Sequence, residues 1–266
     1  MKTDEQNELM IKRSYDVFKH NDLVRKNRYN LSVTEQRAIA YLCSLIKPVK
    51  ATPKTMNVPF ILEYEFDIWQ YAKVCGLTSD GGQLYEETKS LLSGLIKKVM
   101  WLKLPNNTRV TVNWLSRVWI NERSGKVKVK LDEFLIPYLF GLQEVGNFTA
   151  YGLINVLAMT CQYSIRIYEI LKSYANDKTK TFDIDELKEL LMVDGAKSYN
   201  RFPDFRRRVI EPAMAEINKY TDLTVSYEPI TRGRKVVQVQ FFIQRKDYID
   251  SLLSNTWANT DISGSL

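Results

Sequence analysis

A three-residue step, Phe66-Asp67-Ile68, returns 116 positions later as Phe182-Asp183-Ile184. Three residues are weak evidence on their own. Here the surroundings return with them. In both places a strand-prone segment runs into a helical pattern with Asp at the N-cap position. In both, a turn, another helical pattern and a basic hairpin follow. A chain that repeats its element order in this way folds as two like modules rather than one undivided core. At 266 residues, 45% of them hydrophobic, it is long enough to bury a core in each.

The pattern can be followed along the chain. Thr34 precedes a helix with Glu35 in its first turn and Ala38, Ile39, Leu42, Leu45 and Ile46 along its apolar stripe; Pro48 closes it. Residues 48–59 hold three Pro and read as a loop. Tyr64 to Ile68 predicts a short strand running into a helix that Gly76 stops. A second helix is expected over 83–99, with Leu84, Thr88, Leu91, Leu95 and Val99 on one stripe. Val110, Val112 and Trp114 alternate, Val118 and Ile120 continue, and Val127, Val129 and Leu131 alternate back after a turn at Glu122-Arg123-Ser124-Gly125. Residues 133–141 predict a connecting helix. One long helix is then expected over 154–174, before the second Phe-Asp-Ile step. Pro203 suits a first helical turn, and Pro212 should kink the helix or break its ladder. Strands at 223–227 and 237–243 flank the turn Thr231-Arg232-Gly233-Arg234. The expected fold class is α+β: tandem winged-helix domains, each a helix-turn-helix with a β-hairpin wing, related by an internal pseudo-repeat. The expected boundaries are a flexible arm over 1–20, a first domain over 21–141, a second over 148–246 and a frayed tail over 247–266.

Charge follows the same division. The chain carries 38 Lys plus Arg against 31 Asp plus Glu, a formal charge of +7. Residues 97–130 hold nine basic residues and one acid; residues 197–246 hold eleven and five. The remainder is therefore acidic. Charge runs are usually solvated faces. Two similar runs at similar places in two similar halves point instead to a polyanion.

Other chemistry is poorly supported. Cys43, Cys75 and Cys161 are far apart and lie in apolar patterns, with neither disulfide nor zinc spacing. His20 is the single histidine, so paired His ligands for a nicking metal centre are excluded. No GxxxxGK[ST] phosphate loop occurs. Asp183, Asp185, Glu186 and Glu189 read as a cap and a solvated helix start rather than a nuclease centre. The expectation is a non-enzyme without metal or cofactor. Met1 to Glu8 is too polar for a secretory signal, and no apolar run approaches the ~20 residues of a membrane span, so a cytoplasmic location is expected.

The candidate ligands of a duplex follow from the helical and hairpin patterns. On the second module's third helix, Phe205, Val209, Ala213 and Ile217 face inward. Arg207 then lies opposite, Arg201 and Arg208 to one side, and Arg206 at the border. The guanidinium fork can bind guanine O6 and N7, or two phosphate oxygens. The alternative is an Arg run that pairs with Asp204 and Glu211. The wings offer phosphate ligands: Arg123, Lys126 and Lys128 in the first, Arg232, Arg234 and Lys235 in the second. Lys89, Lys97 and Lys98 are the first module's helical candidates.

The chain resembles the iteron-binding, theta-type plasmid replication initiators of the Rep family with two winged-helix domains. Near the start, Asn21 to Val24, Arg28 to Ser32 and Glu35 to Arg37 resemble the family's opening helix. Phe148, Thr149, Tyr151 and Tyr163 to Lys172 resemble the second lobe's entry helix. Asp204 to Ala213, Glu216 to Asn218 and Thr221 to Leu223 resemble its recognition helix, and Gly233 to Val236 its wing. The resemblance implies monomers that bind direct repeats in duplex DNA, one lobe in each of two successive major grooves. It implies opening of an adjacent A·T-rich segment, recruitment of host initiator and replicative helicase in a bacterial cytoplasm, and a dimer that represses its own gene at an inverted repeat. The competing expectations are a tandem winged-helix transcriptional regulator, a DNA-processing enzyme, and an RNA- or protein-binding module. The DNA target, a metal-dependent cleavage assay and a duplex-against-RNA competition separate them.

Overall fold

The computed structural model of the chain describes residues 2–46, 62–103, 108–142, 146–247 and 250–251. The expected proline loop, at 48–59, and most of the expected tail lie outside them.

The first Phe-Asp-Ile step joins strand β2 (Glu63–Asp67) to helix α4 (Ile68–Cys75). Asp67 caps α4 by accepting from the N–H groups of Trp69 at 2.8 Å and Gln70 at 3.1 Å. Gly76 ends the helix. Helix α5 (Gly81–Lys97) follows and buries Leu84, Thr88, Leu92 and Leu95. Strands β5 (Leu115–Asn121) and β6 (Lys126–Leu131) form a hairpin, and the three-stranded sheet runs β2-β6-β5.

The second step repeats this plan. Strand β8 (Thr179–Asp183) enters α9 (Ile184–Leu190). A composite helix is built from α10 (Phe202–Phe205), a π turn (Arg206–Ile210) and α11 (Glu211–Tyr220). Strands β9 (Leu223–Arg232) and β10 (Lys235–Arg245) form the hairpin, and the sheet runs β8-β10-β9. Phe66 sits opposite Val127 and Phe182 opposite Val239, so the repeated Phe occupies the same register in both sheets. These two sheets, each with a helix pair before its hairpin, make two winged-helix modules of α+β class.

Several expectations need correction. The described part of the expected flexible arm, residues 2–20, is built into regular elements. Lys2–Arg13 form helix α1, and Asp16–His20 form strand β1, paired antiparallel with β7 (Phe148–Gly152). Val17 and Lys19 of this strand are buried, and the Arg13 side chain donates to the carbonyl of Val74 at 3.0 Å. Polar composition concealed a segment tied down by strand pairing. The helix expected after Thr34 starts one residue before it: α3 (Val33–Leu45) is capped by Ser32 in a capping box with Glu35. The helix expected to reach Val99 ends at Lys97. Val99–Lys103 is instead strand β3, paired with β4 (Arg109–Asn113) in a separate two-stranded sheet that interrupts the repeat. The helix expected over 154–174 is two, α7 (Ile154–Leu157) and α8 (Gln162–Ser173). The connector over 133–141 is a 3-10 turn, Glu133–Leu135, followed by the short α6 (Ile136–Leu139). Asp183 does not cap α9 through its side chain; it accepts from Gln238 Nε2 at 3.0 Å.

Candidate nucleic-acid interface

In the second module the local sequence dictates an unusual helix. Pro212 has no N–H for the carbonyl of Arg208, and its ring would press on that carbonyl in a regular α-helix. The backbone widens just ahead of it: Glu211 N–H bonds back five residues to the carbonyl of Arg206, and Arg206–Ile210 forms the π turn. The extra residue changes what faces where. Phe205, Val209 and Ile210 are all buried, while Arg206, Arg207 and Arg208 are all exposed. The sequence expectation of Arg206 at the border of the core gives way to three consecutive exposed arginines at the π turn.

The pairing expected as an alternative is present as well. Arg206 lies 3.2 Å from Glu211, and Arg207 lies 3.5 Å from Asp204. Both pairs are at the surface, where such contacts contribute little, and they do not withhold the guanidiniums from a stronger anion. Arg208 makes no side-chain pair with any described residue.

The wing is held against this helix by specific contacts. The Asn218 side chain on α11 brackets the backbone of Val225 on β9, donating to its carbonyl at 2.9 Å and accepting from its N–H at 2.6 Å. Tyr227 on the same strand contacts the Arg206–Glu211 pair; burial, then Glu211, pushes its hydroxyl pKa up. Lys246 Nζ donates to the carbonyls of Asn218 at 2.6 Å and Thr221 at 2.8 Å, completing the end of α11. At the wing tip Gly233 takes φ +61, the left-handed conformation such a turn requires. Arg232, Arg234 and Lys235 around it are exposed, with no side-chain partner among the described residues. Arg201, just before α10, is also exposed and unpaired among the described residues.

The first module keeps the topology but neutralises much of its charge. Strand β6 is central in its sheet, so its lysines meet acids on β2. Lys126 lies 3.1 Å from Glu65, and Lys128 lies 3.2 Å from Glu63 and over the Trp119 ring. Lys89 on α5 lies 4.0 Å from Glu122 of the wing turn. Lys98 departs most from expectation. Its Nζ donates to the carbonyl of Asn30 at 3.0 Å and lies 3.5 Å from Glu35, so it ties the end of α5 to the start of α3. Arg123 at the wing tip and Lys97 at the end of α5 are exposed and unpaired among the described residues. Sequence reasoning overlooked Trp69. Its indole is 53% exposed and lies over the start of α5, so close that a Cβ on Gly81 would meet it at 3.0 Å. The wing turn reaches the same corner, where the carbonyl of Gly125 accepts from the N–H of Ile68 at 3.0 Å.

Among the described residues no group of His, Cys, Asp and Glu is arranged to hold a metal ion, and no helix is long and apolar enough to cross a membrane.

Comparison with known proteins matches this arrangement. Residues 16–172 match the family described as initiator replication protein, WH1, and residues 183–243 match initiator Rep protein, WH2. A replication initiation protein of Escherichia coli is 26% identical over 242 residues, covering 88% of this chain and 71% of that protein. The PI protein of Escherichia coli is 30% identical over 185 residues, covering 61% of this chain and 60% of the relative. The solved Pi initiator protein in complex with iteron DNA shares the fold, with a TM-score of 0.68 at 21% identity over 88% of this chain and 99% of that one. With both winged-helix regions matched in order over most of its length, the chain belongs to the initiator replication protein family.

Proposed function

We propose that the chain initiates plasmid replication by binding directly repeated origin sequences, iterons, in duplex DNA through its two winged-helix domains. The observation that carries this is the π turn. It presents Arg206, Arg207 and Arg208 on the helix that precedes a cationic, unpaired wing, as groove readout beside backbone contact requires. The solved relative that shares the fold is complexed with iteron DNA, which supports the same ligand here. In this reading Arg207 and Arg208 contact base edges or phosphates; Arg201 and Arg206 flank them. Arg232, Arg234 and Lys235 contact phosphates. In the first module Arg123, Lys97 and Lys89 contact phosphate, while Lys126 and Lys128 do so only by giving up Glu65 and Glu63. Lys98 serves the fold.

Each module occupies one of two successive major grooves. Binding then promotes opening of an adjacent A·T-rich segment and recruits host initiator and replicative helicase; a dimer represses the gene at an inverted repeat. The working place is the cytoplasm, and no catalytic step is assigned. The test is binding of the full chain to a duplex it selects from the DNA flanking its gene, read for tandem direct repeats, with a scrambled duplex of the same composition as control. Preference for the repeats is expected. Equal affinity for both duplexes would refute the reading.

A further inference from the structure

Helix α8 closes the region matched to the first winged-helix family model, and it makes contacts with both modules. One side of it is locked into the first. Arg166 donates to the carbonyls of Val24 at 2.7 Å and Asn27 at 2.8 Å. Glu169 accepts from Lys19 Nζ at 2.6 Å, and from the hydroxyls of Tyr29 at 3.1 Å and Tyr151. Arg166 and Glu169 are 4% and 2% exposed, so these are interior charges.

Two carboxylates of the second module grip a separate face of α8, one at each end. At its start, Glu216 of α11 accepts from the N–H of Thr160 at 2.9 Å, from its hydroxyl at 2.6 Å, and from the N–H of Cys161 at 3.2 Å. Cys161 is the N-cap position and makes no side-chain cap of its own, so Glu216 supplies the missing cap from another helix. At its far end, Asp222 accepts from the Tyr168 hydroxyl at 2.8 Å and pairs with Lys172. An ion pair between the modules that does not involve α8, Arg28 with Glu189, is at the surface and holds little by itself.

We propose that α8 is a rigid strut that sets the spacing between the two DNA probes, with Glu216 and Asp222 as its positioning residues. The proposal rests on the two-groove function above. Glu216 lies on the helix that continues from the Arg-bearing π turn. A grip at this point transmits the position of that helix to the first module. A rigid pair of probes binds tightly only when both grooves are presented at the matching separation; a loosened pair tolerates others but gains less from being linked. Neither carboxylate needs to touch DNA.

The test uses the full chain and a duplex that it selects from a random pool, with the two protected grooves located by hydroxyl-radical footprinting. Inserting about two base pairs between them, roughly a fifth of a helical turn, should weaken wild-type binding by at least tenfold. The variant Glu216→Gln/Asp222→Asn should bind the parent duplex about fivefold more weakly, and the insertion should then cost it less than about threefold. A variant as intolerant of the insertion as wild type would overturn the proposal. Should the double variant fail to fold, spin labels carried on unnatural residues at Ser124 and Thr231 of the otherwise wild-type chain give a second measurement. A narrow label-to-label distance distribution is expected; a broad one would overturn the strut. A wild-type chain that selects no duplex would instead overturn the function on which the proposal rests.

Discussion

Glu169 and Lys19 lie 150 positions apart in sequence and form a buried pair, which sets the sharpest expectations at the scale of single residues. Burial alone would raise the Glu169 carboxyl, but Lys19 and Arg166 outweigh it and hold its pKa below the usual range. Burial likewise opposes the charge on Lys19, and Glu169 outweighs that too, leaving its pKa raised. The signs follow from linkage. The Glu169 contribution is present above the ordinary carboxylate range and is lost as pH falls through the lowered value. The Lys19 contribution is present below the ordinary lysine range and is lost only at more alkaline pH. Glu169→Gln should cost ~3–5 kcal/mol at neutral pH, because it strands a buried ammonium. Thermal unfolding against pH checks this: the gap between wild type and variant should close on acidification, and a constant gap would contradict the assignment. On the DNA side, Arg207→Ala and Arg208→Ala should each weaken specific binding by ~1–3 kcal/mol if the residue touches a base edge. Fluorescence anisotropy reads this directly, and unchanged affinity would remove the residue from the interface. The three arginines were legible in sequence because they stand together between apolar helix positions. The Lys19–Glu169 pair was not, since nothing local marks two charges so far apart as partners.

Among the elements, the composite helix and the wings make separable predictions. Pro212→Ala restores a donor for the carbonyl of Arg208 and removes the reason for the π turn. Helicity by circular dichroism should hold or rise, while DNA affinity should fall as the Arg206–Arg208 bulge closes. Unchanged affinity would show that the bulge has no part in binding. Neutralising Arg232, Arg234 and Lys235 should lower the slope of log affinity against log salt by about 0.9 for each phosphate left without its cation. Neutralising Lys126 and Lys128 should lower it less, because Glu65 and Glu63 already compensate those charges. An equal effect from both wings would contradict the difference between the modules. Both wings were readable from alternation and turn chemistry. Their pairing partners were less so: nothing in the sequence of β6 announces that it lies between β5 and an acidic β2. Strand β3 was missed because Val99 continued the helical stripe of α5, and local pattern could not show that Lys98 turns the chain toward β4. The break before α8 was hidden for a similar reason, since Glu216, the group that caps it, lies 55 residues beyond Cys161.

For the molecule as a whole, the repeated Phe-Asp-Ile step foretold the layout well. The order β2-β6-β5 in one module and β8-β10-β9 in the other is the same topology built twice. What the repeat could not show is what was added to it: α1 and β1 at the start of the chain, the β3–β4 sheet inside the first module, and helix α8, which contacts both modules. These additions are tertiary, made by strand pairing and by charges buried at long range, and they leave only faint local patterns. In the proposed reading they also tie the two modules into one body with two DNA probes. In the proposed function both probes engage one face of a duplex at once. Hydroxyl-radical footprinting of the full chain on a duplex it selects from a random pool tests it most directly. Two protected backbone patches about one helical turn apart on the same face are predicted. A single patch, or two patches on opposite faces, would contradict it.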